Sequence, residues 1–266
     1  MLLSLAQKMA EWRFFETGMK PLEGPEISAF GQGGLLMNGE ELEVVKIIAM
    51  LTNNDLTIEY ARELFEASHR APTQYWGFKD TGISSYAASD LAKHIYDKGK
   101  TIVFESFGEK EDDCLRAAEF AVKNKCKYLV GCEFHPSVAS LLRDSSVSYR
   151  PTIGRRAGVP RYLYGSIEDV VEDGQRVLAG GADGICLSMY RYKDGDPNEL
   201  GLAVLKAVGQ QSTIISGSIN TFDRLKQVRK LRPWGFTIGS ALFNEAFGKG
   251  LSWPEQISVL DAVLSV

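Results

Sequence analysis

Short apolar runs alternate along the chain with stretches in which apolar residues recur every three or four positions, from residue 44 onward and with no linker between them. The runs are rich in β-branched and aromatic residues and have the length of buried strands, whereas the stretches between them have the period of amphipathic helices. Eight runs stand out, at 44–51, 75–80, 101–106, 128–134, 149–154, 183–189, 213–219 and 235–242. The fifth is the weakest, because it contains Pro151. Helices are predicted near 57–69, up to Gly99, at 110–124, from Pro136, from Ser166, at 198–209, at 221–231 and from Trp253 or Pro254. Pro136 suits a first helical turn, and Ser166 with Asp169 reads as a capping box.

Strands that alternate with helices build a parallel sheet from βαβ units. An open doubly wound sheet usually has five or six strands and a glycine-rich first loop. This chain has eight, and its first loop, Thr52–Thr57, has no glycine. The prediction is an α/β protein: a single (β/α)8 TIM barrel over 44–266, with an extra N-terminal helix. Leucines, Met9, Trp12 and Phe15 recur at helical spacing near the start, so residues 1–43 read as a helix and loop covering the bottom of the barrel. The helix at 1–16 would serve a homo-oligomer equally well.

Composition narrows the partners. Apolar residues make up 44% of the chain, enough for a sizeable core. The net charge is -4 and basic residues are scattered, so no nucleic-acid partner is expected. No apolar run reaches the length of a membrane span, and the first residues lack the pattern of a signal peptide. Cys114, Cys126, Cys132 and Cys186 show no CxxC spacing, which predicts reduced, buried thiols in a cytoplasmic protein.

Small residues end the last two strand runs: Ser216, Gly217 and Ser218 after the seventh, Gly239 and Ser240 after the eighth. A phosphate needs bare main-chain N–H groups, and a Cβ in the wrong place would hold its oxygens away. The eighth run continues into Ala241–Phe247, a short helical stretch. The plainer alternative is that these residues only permit tight turns. Ser216–Asn220 and Phe236–Phe243 resemble the ribulose-phosphate-binding barrel superfamily, which includes isomerases, epimerases, indole-glycerol-phosphate synthases and keto-acid-phosphate aldolases. The resemblance implies a small phosphorylated metabolite as partner and Gly217, Ser218, Gly239 and Ser240 as its phosphate ligands.

Strand alternation suggests the chemistry. Lys79 on the second run and Glu105 on the third are expected to point inward, and Gly131, Glu133 and His135 likewise from the fourth. Lys79, Glu105 and Glu133 are therefore the candidate catalytic residues. Lys79 could form a Schiff base, stabilise an enediolate as an ammonium, or serve as a structural ion pair. Glu105, Glu133 and His135 make a weak candidate for a divalent metal; no cofactor is otherwise expected. His135, Arg155 and Arg191 are candidate substrate-binding residues, and the loop 155–165 a candidate lid.

The catalytic sets of the superfamily are not carried over. The sixth run has no lysine, the first and fifth have no aspartate, and paired metal-binding histidines are missing. The expected function is an aldolase-type lyase acting on a phosphorylated sugar or keto acid with Lys79 and carboxylates. The alternatives are a sugar-phosphate isomerase or epimerase, and a non-catalytic barrel that senses a phosphometabolite.

Overall fold

Strands that are apolar at nearly every position need cover on both faces, and a helix after each strand supplies it. The computed structural model describes residues 36–37, 40–41 and 44–265. The chain divides into two units, residues 1–44 and 45–266. In the first, Leu36–Met37 and Glu40–Glu41 pair as antiparallel strands. The helix expected over 1–16 lies outside the described residues.

The second unit is built on eight parallel strands. They are β1 (Lys46–Met50), β2 (Tyr75–Lys79), β3 (Thr101–Glu105), β4 (Tyr128–Val130), β5 (Ser148–Arg150), β6 (Ile185–Leu187), β7 (Thr213–Ile215) and β8 (Gly235–Ile238). The helices that follow them in turn are α1 (Ala61–Ser68), α2 (Ser85–Asp97), α3 (Glu111–Lys123), α4 (Pro136–Leu142), α5 (Ile167–Ala179), α6 (Pro197–Val208) and α7 (Phe222–Leu231). After β8 come the short α8 (Ser240–Phe243) and α9 (Trp253–Leu264). Ser166 and Asp169 cap α5 reciprocally, as their spacing predicts.

The strands neighbour one another in the order β6-β7-β8-β1-β2-β3-β4-β5. The ring closes between β5 and β6 through one bridge, Thr152 to Cys186, which includes the Cys186 N–H to Pro151 O bond, and two nearby hydrogen bonds, Asp183 N–H to Tyr149 O and Tyr149 N–H to Asp183 Oδ2. Pro151 explains why this seam is thin: its carbonyl faces β6, and it has no N–H to return. The architecture is a nearly closed (β/α)8 barrel.

Aromatic side chains fill the barrel floor. Trp234 lies 5.1 Å from Tyr75 and 4.6 Å from Tyr128, ring to ring, and the buried Arg150 guanidinium stacks 4.7 Å over it. Above them Ile48, Met50, Val103, Val130, Cys186 and Ile214 complete the interior.

This packing corrects one expectation. Tyr128 and Val130 point inside, not toward the helices, so the phase read for the fourth strand is reversed. Tyr128 is needed as floor, and Leu129, fully buried, takes the opposite face. The strand stops at Val130, and Gly131 turns away with φ +88°. Glu133 and His135 are thereby carried out of the barrel interior.

Candidate functional site

A cavity of ≈ 390 Å³ opens at the C-terminal ends of the strands, the end where barrels of this kind carry their chemistry. Its wall begins just past β1, where Thr52–Asn53 and Leu56–Thr57 form a small hairpin. The two turn residues, Asn54 (φ 48°) and Asp55 (φ 64°), are both left-handed, a conformation that Asn and Asp tolerate best after glycine. The turn lifts the Asp55 carboxylate over the cavity, and the Asn54 N–H donates to Ser240 Oγ at 2.9 Å.

Lys79 ends β2 and is 6% exposed. Its backbone is clamped by Thr57 Oγ1, which donates to Lys79 O and accepts from Lys79 N–H, each at 2.8 Å. Its Nζ donates to Asp55 Oδ1 at 2.8 Å, stands 3.4 Å from Glu105 Oε1, and lies 4.0 Å from the Phe107 ring centroid. Glu105 ends β3 and is equally buried. Burial alone would raise the Asp55 carboxyl, but the Arg191 and Lys79 cations outweigh it and hold the group below its ordinary value. Cys186 also lines the cavity, its thiol pushed up to about 11 by burial first and Glu105 second.

The wall continues on the other side of β1 with β8 and β7. Gly217 (φ 76°) and Ser218 (φ 60°) are successive left-handed residues, and the second is uncommon for a side chain other than glycine. At Gly239 a Cβ would fall 2.6 Å from Thr52 O and 3.0 Å from Met50 O, so only glycine fits. Among the described residues, the N–H groups of Gly217, Ser218 and Gly239 donate to no acceptor. Arg224 steadies the loop by donating to Ser218 O and Asn220 Oδ1. Arg191, in the turn Met189–Arg191 after β6, passes over Gly217, where an added Cβ would meet its Nε at 3.0 Å.

Of the residues singled out in the sequence, the cavity brings together Lys79, Glu105, Arg191, Gly217, Ser218, Gly239 and Ser240. Three lie elsewhere. Glu133 is exposed and lines a separate cleft. His135 stands at the residue before α4 without capping it through its side chain, whose Nε2 lies 3.0 Å from Glu109 O. Arg155 is exposed and stacks 5.0 Å over Tyr164. Glu105, Glu133 and His135 consequently form no common metal site, and no cluster suited to a metal occurs among the described residues.

Asp55, Phe107 and Arg161 line the cavity without having been expected there, and Arg156 lines it in place of its neighbour Arg155. The two arginines belong to a hairpin, Arg155–Ala157 with Tyr162–Tyr164, in the segment read as a loop. Alternation along it turns Arg155 out and Arg156 in. Its base is anchored by the fully buried Leu163, whose carbonyl accepts from Lys193 N–H. The signal in the sequence is confined to the β-prone Tyr162–Tyr164 after the turn residues Gly158 and Pro160, because Arg155–Ala157 has no strand-favouring residue.

No protein-family model matches the chain, and no curated protein matches it either. Solved structures do. Orotidine 5'-phosphate decarboxylase from Pyrococcus horikoshii superposes with a TM-score of 0.61 at 10% identity, over 83% of this chain and 100% of the other. The tryptophan synthase alpha chain from Legionella pneumophila gives 0.59 at 11% identity, over 84% and 94%. Thiamine phosphate pyrophosphorylase from Pyrococcus furiosus gives 0.57 at 12% identity, over 83% and 95%. At such identities the likeness speaks for the backbone: the chain is a (β/α)8 barrel that resembles several metabolic enzymes in fold, with none of these three close to it in sequence.

Proposed function

We propose that this barrel is an enzyme that moves a proton beside the carbonyl group of a small phosphorylated sugar or keto acid. The observation that carries the reading is one cavity holding both the Asp55–Lys79–Glu105 cluster and the free N–H groups of Gly217, Ser218 and Gly239. The phosphate sits on those amides, with Ser240 beside them, and fixes the carbon skeleton over the charged cluster. Lys79 stabilises the oxyanion that develops as the proton leaves. Asp55, held by two cations, is a weak base and serves to aim Lys79 and Arg191. Glu105 is then the group that carries the proton.

This favours an isomerase or epimerase over a Schiff-base aldolase. An amine that donates to Asp55 and faces Glu105 presents protons, not a lone pair, to a substrate carbonyl. Carbon–carbon cleavage through the same enediolate remains the lyase form of the reading. Incubation in deuterium oxide with a panel of phosphorylated sugars and keto acids tests it. Deuterium entering an otherwise intact carbon skeleton marks the isomerase or epimerase, and exchange with cleavage marks the lyase. A borohydride-trapped adduct on Lys79 would reinstate the Schiff base. Binding without exchange or turnover would make the barrel a sensor and end the enzymatic reading.

A further inference from the structure

The cavity has a second feature that phosphate and proton transfer leave unused. Arg156 reaches from the hairpin after β5 to the end of β4, where its Nη1 donates to Gly131 O at 3.1 Å. Its other two nitrogens, Nε and Nη2, are closed to solvent and have no hydrogen-bond partner. These two form the side edge of the guanidinium, the edge that matches two oxygens of one carboxylate or phosphate. Leaving two charged donors buried and unmet is expensive, and native structures rarely tolerate it without a reason. Burial, and then the like charge of Arg161, further oppose the cation. Arg161 shares the cavity wall, but its charge is paired: its Nη1, although not aligned for a hydrogen bond, stands 2.8 Å from Glu109 Oε1, and its guanidinium stacks 5.3 Å over Phe107.

Position gives the unmet edge a meaning. In a ring of eight staves, β4 stands opposite β8, so Arg156 at Gly131 faces Gly239 and Ser240 across the cavity. Lys79 and Glu105 lie along the wall between them. We propose that Arg156 binds a second anionic group of the substrate, at the end away from the phosphate. The substrate class is then a phosphorylated acid or a bisphosphate, with its reacting carbons bridging the two anchors. Because the donors are shielded, the side chain turns slightly into the cavity as the anion arrives, and pairing removes the penalty of two orphaned donors. The inference rests on the phosphate cradle proposed above and deepens it by naming what the far end of the ligand carries.

Titration calorimetry with matched probes tests this: glycerol 3-phosphate against 3-phosphoglycerate, and fructose 6-phosphate against fructose 1,6-bisphosphate. The wild-type protein is expected to prefer the doubly anionic member of at least one pair by about 10- to 100-fold, the range of a charged hydrogen bond. A preference in the first pair identifies a carboxylate at Arg156, and one in the second pair a phosphate. In Arg156→Gln the preference should vanish while the singly anionic probe still binds, which also shows the variant is folded. Arg161→Gln should keep the preference. Equal affinities within both pairs, or a preference that survives Arg156→Gln, overturn the assignment of Arg156 and leave the cradle standing. If no phosphorylated probe binds wild type, the cradle fails and the assignment with it.

Discussion

Asp55 and Arg191, 136 residues apart in sequence, meet over the barrel mouth in a two-pronged ion pair. Nη1 lies 3.0 Å from Oδ2 and Nη2 3.1 Å from Oδ1. The pair ties the hairpin after β1 to the turn after β6, and it holds Asp55 where Lys79 can donate to it. A fork of this kind fixes orientation as well as distance.

Replacing Asp55 by Asn should therefore lower stability in a pH-dependent way. The folded carboxyl titrates below its ordinary 3.8, so its contribution is fully present above that value and lost as pH falls through the lower folded one. Since the carboxylate is partly buried, the loss at pH 7 should be about 2 kcal/mol, between exposed and buried pairs. Urea unfolding of both proteins at pH 7 and pH 3 checks it. A gap that persists undiminished in acid would refute the ion pair's role.

Lys79 and Glu105 should separate by kinetics once a turned-over substrate is in hand. Glu105→Gln is expected to lower kcat by about 10²–10⁴ with little change in KM, as loss of a proton carrier does. Lys79→Arg keeps the charge but replaces a compact ammonium with a planar fork, so the fold should survive and the rate should not. Lys79→Met leaves two carboxylates facing each other and should cost about 3–5 kcal/mol in denaturant unfolding. Full activity in Lys79→Arg would exclude the lysine from the chemistry.

Gly239→Ala tests the cradle. The added methyl would press on Thr52 O and Met50 O, main-chain atoms that cannot turn aside. A stability loss of about 1–3 kcal/mol is expected from such overpacking. The thermal shift that inorganic phosphate gives the wild type should disappear with it. Retained phosphate stabilisation in this variant would place the anion elsewhere.

The floor should behave independently of the mouth. Trp234→Ala opens a gap among Tyr75, Tyr128 and Arg150 and should cost about 3–5 kcal/mol. Residual phosphate affinity, measured below the melting temperature, should match wild type, because that end of such barrels serves stability. A parallel loss of affinity would mean the two ends are coupled.

Much of the barrel is written in the alternation of short apolar runs with amphipathic stretches: seven of the eight staves fall within the runs read from it, and β5 begins one residue before its run. The small residues at the ends of β7 and β8 were legible for the same reason, since glycine and serine interrupt an apolar run visibly. The fourth strand was not. Tyr128–Cys132 is apolar or glycine at every position, so either phase fits, and only the aromatic packing of the floor decides between them. Asp55 was hidden because a two-residue hairpin turn, not a strand, presents it. Arg155 and Arg156 both follow the fifth run on the cavity side, and which of them faces in depends on the hairpin pairing of Arg156 with Leu163, which the sequence does not display.

The proline in the β5–β6 seam has a mechanical consequence. Regular ladders resist parting because many bonds must break together, whereas one bridge and its two neighbours release almost singly. Opening of the cylinder should start along that line, and the staves it separates are the ones leading to Arg156 and Arg191. The barrel is thus weakest between the two guanidinium-bearing loops, while β1 and β2, across the ring from that line, are joined by a regular ladder.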